Sequence, residues 1–276
     1  MPEIRIHDAD VAKAFDAIAQ EFESALENQV TARIREIVYG TIRPLMSHGS
    51  ILDINCGIGL DAFALAADGH SVTGVDLSPR MIDQAKRRAS MHPELKTEFT
   101  VSSFEDLSHL AGRTFDVVLS NFAGLNCTDS LERVFLNVAN VLNPGGRFVA
   151  VAMPRICLWE IVVGLARFRP GSAFRRFQSG VQATGFEGHS FTVHYHPLGR
   201  FLSTASTWFD PVTIRGLSLL SPPPHAQAFR NRVPRLSGFL DDLDDLLGAL
   251  PVLRGMGDHY LVVLQRNGMR ASEIQS

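Results

Sequence analysis

A carboxylate and two glycines follow a short apolar run early in the chain, and their spacing is typical of a ligand-binding loop. The segment is Asp53-Ile-Asn-Cys-Gly57-Ile-Gly59. Glycines allow the backbone to turn tightly and to approach a ligand, and the N–H groups at the start of a following helix are free to bind it. Gly57, Gly59 and Ala62 also fit the G-x-G-x-x-G/A pattern of dinucleotide-binding loops, which by itself is a weak criterion.

Two aspartates distinguish between the ligands that such a loop could hold. Asp53 lies four residues before Gly57, where its carboxylate would repel a pyrophosphate and attract an ammonium group. Asp76 ends the next apolar run, 19 residues after Gly57. A carboxylate at that position accepts hydrogen bonds from both hydroxyls of a ribose. A ligand with a ribose, a cationic amino-acid tail and no phosphate is S-adenosylmethionine, so the two carboxylates favour this cofactor over a dinucleotide.

Apolar runs that alternate with amphipathic segments must position these residues. The pattern predicts strands over 50–56, 71–76, 98–101, 115–120 and 147–153, and helices over 60–68, 79–91 and 130–142. Later strands are predicted over 191–195, 212–217 and 260–264, with helices over 197–206 and 236–247. Strands that alternate with helices pair in parallel. We therefore predict an α/β fold with a Rossmann-like, doubly wound, mostly parallel seven-stranded sheet.

We predict that the chain forms one domain with four consecutive parts. Apolar residues at spacings of three and four predict a helical N-terminal cap over 1–47. Residues 48–153 form the predicted cofactor-binding core, and residues 207–276 complete the sheet. Between them, residues 154–206 form an inserted lid and substrate region, in which Arg169-Pro-Gly171 divides two short helices.

Charge is distributed unevenly along the 276 residues, although the net charge is only −3. The balance is −7 over 1–150, +7 over 151–235 and −3 over 236–276. A chain that is 45% hydrophobic can bury a core, which excludes wholesale disorder. The apolar run Ile156–Ala166 contains Glu160 and is too short to span a bilayer. Because the first residues also lack the layout of a signal peptide and three cysteines are too few for a disulfide framework or a zinc site, we expect a cytoplasmic protein without a metal.

Five short motifs between residues 10 and 153 carry a resemblance to a known family. They are Phe15-Asp-Ala-Ile-Ala19, Leu52-Asp-Ile-Asn-Cys-Gly-Ile-Gly59, Val75-Asp-Leu-Ser78 with Met81 after it, Phe115-Asp-Val-Val118 and Leu142-Asn-Pro-Gly-Gly-Arg147. In this order they resemble the class I S-adenosylmethionine-dependent methyltransferases, and within that class the small-molecule enzymes of the type 11/25 group. The resemblance implies methyl transfer from S-adenosylmethionine to an O, N or C nucleophile of a small molecule.

The resemblance also implies roles for individual residues. The cofactor is expected to contact Asp53, Gly57 and Gly59 with its methionine tail, Asp76 with its ribose, and Leu77 and Met81 with its adenine. The other residues expected at the cofactor are Asn55, Cys56, Ser103 and Phe104. Asn121 is expected near the sulfonium and the substrate. Ser103 stands where the family often has an acid that accepts from the adenine amine, so Ser103, Glu105 or a backbone group is left for that bond. Asn55 stands where the family commonly has glycine.

A sulfonium methyl group is already electrophilic, so the protein mainly has to align the nucleophile, the methyl carbon and the sulfur and to exclude water. A base is needed only when the nucleophile arrives protonated. Besides Asn121, the candidate catalytic residues are His194, Tyr195 and His196, on a predicted strand beside the lid. Side chains alternate along a strand, so the two histidines would point the same way. The alternative for both histidines is a structural or solvated role.

The arginines of the predicted lid leave several partners open. They are Arg155, Arg167, Arg169, Arg175 and Arg176. Such a cluster suits an anionic small substrate, an acidic membrane surface with a lipid-like substrate, or RNA. The arginines could equally pair with acids elsewhere in the chain. A pI of about 6.4 argues against nucleic acid.

Three other functions are compatible with the same loop. One is different chemistry on S-adenosylmethionine, such as intramolecular alkylation and cyclisation by its amino-acid tail. Another is an NAD-type oxidoreductase, which the glycine pattern favours and which Asp53 and the turn Pro144-Gly-Gly146 oppose. The third is a partner subunit that binds the cofactor without catalysis.

Overall fold

The computed structural model describes residues 6–178, 180–184 and 190–268. The strands are β1 (Ser50–Asp53), β2 (Ser71–Asp76), β3 (Thr97–Val101), β4 (Phe115–Ser120), β5 (Leu142–Ala152), β6 (Val181–Thr184), β7 (Ser190–Val193), β8 (Phe209–Leu217) and β9 (His259–Arg266). Seven of them form one sheet in the order β3-β2-β1-β4-β5-β9-β8, and β6 pairs with β7 in a separate hairpin. The first five strands pair in parallel, and β9 is antiparallel to both neighbours. The predicted mostly parallel, seven-stranded sheet is confirmed.

Helices connect the parallel strands, and further helices precede β1 and follow β5. They are α1 (Ile6–Ile18), α2 (Phe22–Leu26), α3 (Gln29–Ile42), α4 (Leu60–Ala67), α5 (Pro79–Met91), α6 (Leu131–Val141), α7 (Leu158–Ala166), α8 (Pro170–Ala173), α9 (Leu198–Ala205), α10 (Gln227–Arg232) and α11 (Pro234–Leu247). Among the described helices, none has both the length and the apolar character needed to cross a bilayer.

The central strand β1 shows how the sheet buries residues on both of its faces. Ile51 and Leu52 are both fully buried but belong to different core clusters, because successive side chains of a strand point to opposite faces. Ile51 packs with Ile34 of α3, and Leu52 packs with Val134 of α6. Helices therefore cover both faces of the sheet, as expected for parallel strands.

The N-terminal cap consists of three helices, and Asn28 caps the start of the third. The Asn28 side chain accepts hydrogen bonds from the N–H groups of Val30 (2.9 Å) and Thr31 (3.2 Å), and the Thr31 hydroxyl accepts from the Asn28 N–H (2.7 Å). This reciprocal capping box fixes the start of α3. The apolar spacing of the cap predicts a continuous helical pattern and does not show the break before α3.

The segment after β5 forms the two short helices that the sequence predicts. They separate at Arg169 and Pro170, and α8 lies so close to α7 that a Cβ at Gly164 would be 2.8 Å from Ala173. The hairpin of β6 and β7 then packs against α1, where the rings of Phe15 and Phe191 are 5.6 Å apart. The predicted strand over 191–195 is shorter than expected and ends at Val193.

Candidate cofactor and substrate site

A cavity of about 360 Å³ opens at the carboxyl ends of β1, β2, β3 and β4. This is the edge of the sheet where the strand order reverses, between β1 and β4, and open α/β sheets bind ligands there. Eight of the predicted cofactor-binding residues line it, namely Asn55, Cys56, Gly57, Asp76, Leu77, Ser103, Phe104 and Asn121. The other three, Asp53, Gly59 and Met81, lie behind this lining.

The loop after β1 uses its two glycines for different reasons. Both have the left-handed backbone that glycine adopts without strain, with φ of +54° at Gly57 and +83° at Gly59. A Cβ at Gly59 would lie 2.9 Å from the ring of Phe63, so α4 can begin here only with glycine. At Gly57 a Cβ would face the cavity, 3.8 Å from Phe22. Gly57 therefore allows a ligand close to the backbone.

The carboxylate of Asp76 faces the same cavity from the end of β2. It accepts hydrogen bonds from the N–H groups of Gly57 (2.8 Å) and Ser78 (2.9 Å). Burial raises the pKa of Asp76, and these two backbone hydrogen bonds oppose that rise. The aspartate thus joins two loops and still presents oxygen to the cavity, as an acceptor for ribose hydroxyls must.

Asp53 lies beneath the loop and is 1% exposed. One oxygen accepts a long hydrogen bond from the Asn55 N–H (3.4 Å), and the other, Oδ2, has no hydrogen-bond partner among the described residues. Burial raises the pKa of Asp53 well above its usual value, and the charges of Asp61 and Asp76 raise it further, while Arg35 opposes them. A buried carboxylate among like charges with an unbonded oxygen suits a cationic group nearby. Together with Asp76, it fits the ammonium and ribose of S-adenosylmethionine.

Asn55 fastens the loop after β1 to the end of β4. Its Nδ2 donates to the carbonyl of Asn121 (2.7 Å), and its Oδ1 accepts from the hydroxyl of Ser120 (2.6 Å). Gly124 leaves the space that the Asn55 side chain fills, since a Cβ there would overlap it. Asn55, which stands where the family commonly has glycine, is therefore explained by its hydrogen bonds to the end of β4.

The turn after β4 is strained. Phe122 and Ala123 both have positive φ, 49° and 60°, which non-glycine residues rarely adopt. Asn121 Oδ1 accepts from the Phe122 N–H (2.8 Å), and the Ala123 N–H donates to the carbonyl of Val151 (3.0 Å). These bonds hold the backbone in an unfavourable conformation, which is common where a loop positions functional groups.

A charged cluster beside this turn was not predicted from the sequence. Arg35 of α3 donates to both oxygens of Glu27 (2.7 and 3.2 Å) and to Asp61. Asp61 also accepts from the hydroxyl of Tyr39 (2.6 Å) and from Asn121 Nδ2 (3.1 Å). Arg35, Glu27 and Asp61 line the cavity. No local motif marks them, because the cluster depends on how α3 packs against α4.

The region expected to hold the adenine is only partly as predicted. Met81 is fully buried and packs with Ile18 and Ile58 behind the cavity. Ser103 lines the cavity, and its hydroxyl accepts from the Glu105 N–H (3.2 Å). The Glu105 carboxylate instead accepts from the hydroxyl of Thr128, outside the lining. Of the two side chains left open for the adenine amine, Ser103 is the one at the cavity.

Apolar side chains form the wall opposite the binding loops. Val11 and Phe15 come from α1, Phe22 and Leu26 from α2, and Pro224 from the loop before α10. The carbonyl of Pro224 also accepts a hydrogen bond from the side chain of Asn28 (3.4 Å). The cavity therefore has one side built from the cofactor loops and another built from the N-terminal cap.

The predicted catalytic trio lies elsewhere. His194, Tyr195 and His196 follow β7 and line a second cavity of about 770 Å³. The ring of His196 bonds to the carbonyl of Leu125 (3.0 Å), and burial lowers its pKa to about 4. The His194 N–H donates to the carbonyl of Asn126 (2.7 Å). The turn at 124–127, whose Gly124 and Cys127 line the first cavity, thus separates the trio from it. A catalytic role for the trio stays a prediction.

Two of the lid arginines form ion pairs within the protein. Arg175 and Arg176 both donate to Glu160, and Arg176 also donates to Asp258 (2.5 Å). Cys157 lies within 4.8 Å of both acids, which is metal-ligand spacing, but the Arg176 guanidinium already bridges the carboxylates. This network fixes the predicted lid to the start of β9, and the guanidinium groups supply the positive charge that the buried acids need.

The fold and the site define a Rossmann-like protein of the kind that binds S-adenosylmethionine, and comparisons with known proteins agree. The family described as "Methyltransferase domain" matches residues 51–146. The ubiquinone biosynthesis O-methyltransferase of Coxiella burnetii is 36% identical over 175 residues, which cover 54% of this chain and 68% of that protein. A solved S-adenosylmethionine-dependent methyltransferase from Methanosarcina mazei shares the fold at 20% identity with a TM-score of 0.58, covering 83% of this chain and 98% of that one.

The demethylmenaquinone methyltransferase of Tropheryma whipplei is 26% identical over 147 residues, which cover 52% of this chain and 59% of that relative. The matching part of the chain therefore spans less than two thirds of that protein's length. The match to the Coxiella relative, at 36% identity, nevertheless covers 68% of that protein, which is enough to show the family. The chain belongs to the S-adenosylmethionine-dependent methyltransferases, whose cofactor is S-adenosylmethionine.

Proposed function

We propose that the chain transfers the methyl group of S-adenosylmethionine to an O, N or C nucleophile of a small, largely apolar and uncharged molecule. The observation that carries the proposal is the composition of the first cavity. Its floor comes from the loops after β1 to β4, and its wall comes from apolar residues of α1 and α2. A cofactor against the floor and an acceptor against the wall share one enclosed space, as in-line transfer requires.

The residues of the site have distinct parts in this reaction. The bound cofactor supplies an electrophilic methyl group. Asp53 and Asp76 hold its cationic and hydroxyl-bearing parts, and the strained turn fixes the amide of Asn121 beside the acceptor space. Phe15 and Phe22 exclude water from that space, which favours attack by the acceptor over hydrolysis.

The charges around the cavity support an uncharged acceptor. Arg35 is the one cationic side chain among the described lining residues, and Glu27 and Asp61 already accept its hydrogen bonds. An anionic acceptor would therefore meet acids and no unpaired cation. The two curated relatives are named for ubiquinone biosynthesis and for demethylmenaquinone methylation, and the rings of quinones are uncharged.

An anionic acceptor is the second candidate, and the second cavity is the observation that favours it. Arg133, Arg155 and Arg200 line that cavity together with His194 and Tyr195. An acceptor that reached from the second cavity toward the cofactor would bring His194 and Tyr195 into the reaction, with His196 buried behind them.

We propose the cytoplasm as the location of the protein. The three free cysteines among the described residues are compatible with that reducing compartment.

Calorimetry and a methylation assay test the proposal together. We expect S-adenosylmethionine and its demethylated product to bind, and NADH not to bind. With matched phenols that differ by one carboxylate, we expect turnover of the uncharged member. Leu26→Ala should lower kcat/KM for that acceptor about tenfold, because it removes apolar contact in the wall. The exposed Leu246→Ala is the matched control.

Preferred turnover of the carboxylate, abolished by His194→Ala and unaffected by Leu26→Ala, would favour the second candidate. Tight binding of NADH without binding of S-adenosylmethionine would refute both.

A further inference from the structure

The outer surface of the lid exposes large apolar side chains. Val162 and Leu165 of α7 are 64% and 49% exposed, and Phe168, just after that helix, is 93% exposed. Phe168 has a φ of +55°, a conformation in which helices usually end with glycine. The N–H of Arg169 donates to the carbonyl of Gly164 (2.8 Å) and holds this turn. A phenylalanine held outward at such a position is not explained by packing within the described chain.

Further apolar residues are exposed on the helices α10 and α11, and one of them, Phe229, contacts the lid. Phe229 of α10 and Leu236 and Phe239 of α11 are all exposed. The ring of Trp159, one turn before Val162 on α7, lies 5.4 Å from the ring of Phe229 and so joins the two groups. We call the surface made by α7, α8, α10 and the first two turns of α11 the lid face.

The exposed charges of the lid face are positive. Residues 155–178 contain one acid, Glu160, whose carboxylate is buried against Arg175 and Arg176, and residues 211–240 contain none. The exposed arginines at 167, 169, 232 and 235 make no ion pair within the described residues. This basic surface belongs to a chain whose net charge is −3.

We propose that the lid face docks the protein on the surface of an anionic lipid bilayer. Exposed aromatic and aliphatic side chains flanked by arginines are the combination that binds at the boundary of headgroups and acyl chains. A symmetric pair of chains joined through this face would place arginines against arginines, because a two-fold interface brings the same patch together. The charge therefore favours a lipid surface over a second copy.

Docking through the lid face would also place the substrate cavity near the bilayer. Pro224, which lines the cavity, lies three residues before the start of α10. The lid itself is fixed to the sheet through Arg176 and Asp258, so a docked lid orients the whole domain. The proposal of docking rests only on the exposed residues of the lid face and does not depend on which reaction takes place in the cavity.

Vesicle sedimentation tests the proposal with the full chain. We expect binding to vesicles of phosphatidylcholine with phosphatidylglycerol, weakening as salt is raised, and little binding to phosphatidylcholine alone. The variant Arg167→Glu/Arg169→Glu should lower the partition coefficient at least about 25-fold, from about fivefold for each arginine lost at the surface. Phe168→Ser should weaken it as well. The matched control, Lys86→Glu/Arg87→Glu on α5, changes the net charge equally and should retain binding.

All substituted positions are exposed, so we expect each variant to fold, and circular dichroism and thermal unfolding check this. Three results would overturn the proposal. One is the absence of wild-type binding to anionic vesicles. Another is equal loss of binding in the Lys86→Glu/Arg87→Glu control, because the effect would then follow net charge and not this face. The third is a dimer by light scattering that Phe168→Ser dissociates, without vesicle binding.

Discussion

Replacing Asp76 tests the assignment of the cofactor, because one carboxylate has both a structural and a binding role. It accepts from the N–H groups of Gly57 and Ser78 at 2.8 and 2.9 Å. Asp76→Ala leaves both donors unsatisfied, which costs about 1–3 kcal/mol of folding free energy for each buried group that water does not reach. Asp76→Asn keeps one accepting oxygen and should be less destabilising.

The expected effect on binding is separate from this effect on stability. Hydrogen bonds to a charged group contribute about 1.5–3 kcal/mol, so losing those to the ribose should raise the Kd for S-adenosylmethionine about 10- to 150-fold. Asp83→Ala is the matched control, because Asp83 is an exposed carboxylate on the helix that follows. It should change neither quantity.

Two measurements separate the contributions of Asp76. Urea unfolding without ligand gives the free energy of unfolding, and titration calorimetry with S-adenosylmethionine gives the Kd under conditions where each variant is folded. A folded Asp76→Ala protein that binds the cofactor as tightly as wild type would refute the ribose assignment. Equal weakening by Asp83→Ala would show that only net charge matters.

Three other predictions follow from buried contacts. Gly124→Ala should destabilise the protein by about 1–3 kcal/mol in urea unfolding, because the methyl group overlaps the side chain of Asn55, and Asn55→Gly in the same chain should restore most of it; additive effects would contradict this. The pKa of Asp53 is raised by burial, and a bound cation favours its charged form, so affinity for S-adenosylmethionine should rise with pH and binding should release protons. A flat pH profile with buffer-independent heats would contradict the role of Asp53. Arg176→Ala removes the buried guanidinium that bridges Glu160 and Asp258 and should lower the free energy of unfolding by about 3–5 kcal/mol, whereas the exposed Arg167→Ala should change it by less than about 0.5 kcal/mol; similar losses in both would contradict the buried network.

The sequence predicts the features of the site that depend on neighbouring residues in the chain. The strand that ends at Asp53, the glycines that follow and the next strand that ends at Asp76 form a local pattern, and parallel pairing brings their ends together. The alternation of strands and helices likewise predicts the sheet. Its antiparallel strand, β9, follows β5 only after the lid, β8 and the last two helices, so the sequence locates it only as a late apolar run.

Contacts between distant segments could not be predicted from the sequence. Arg35 and Asp61 carry ordinary helix charges, and only the packing of α3 on α4 makes them a buried pair at the cavity. His194 and His196 follow the end of β7, and the contact of His196 with the turn at 124–127 depends on tertiary docking. Composition shows that residues 151–235 carry an excess of arginine, but it does not show that Arg176 is buried while other arginines of this segment are on the surface.

The central claim is that the first cavity holds S-adenosylmethionine and an apolar acceptor during methyl transfer. It is tested most directly by incubating the protein with methyl-labelled S-adenosylmethionine and an extract of host metabolites, followed by mass spectrometry. We predict that the label appears on an uncharged, apolar metabolite in equal amount to the demethylated cofactor, and that Leu26→Ala reduces both products. Consumption of the cofactor without transfer of the label, or no consumption by protein that binds it, would contradict the account.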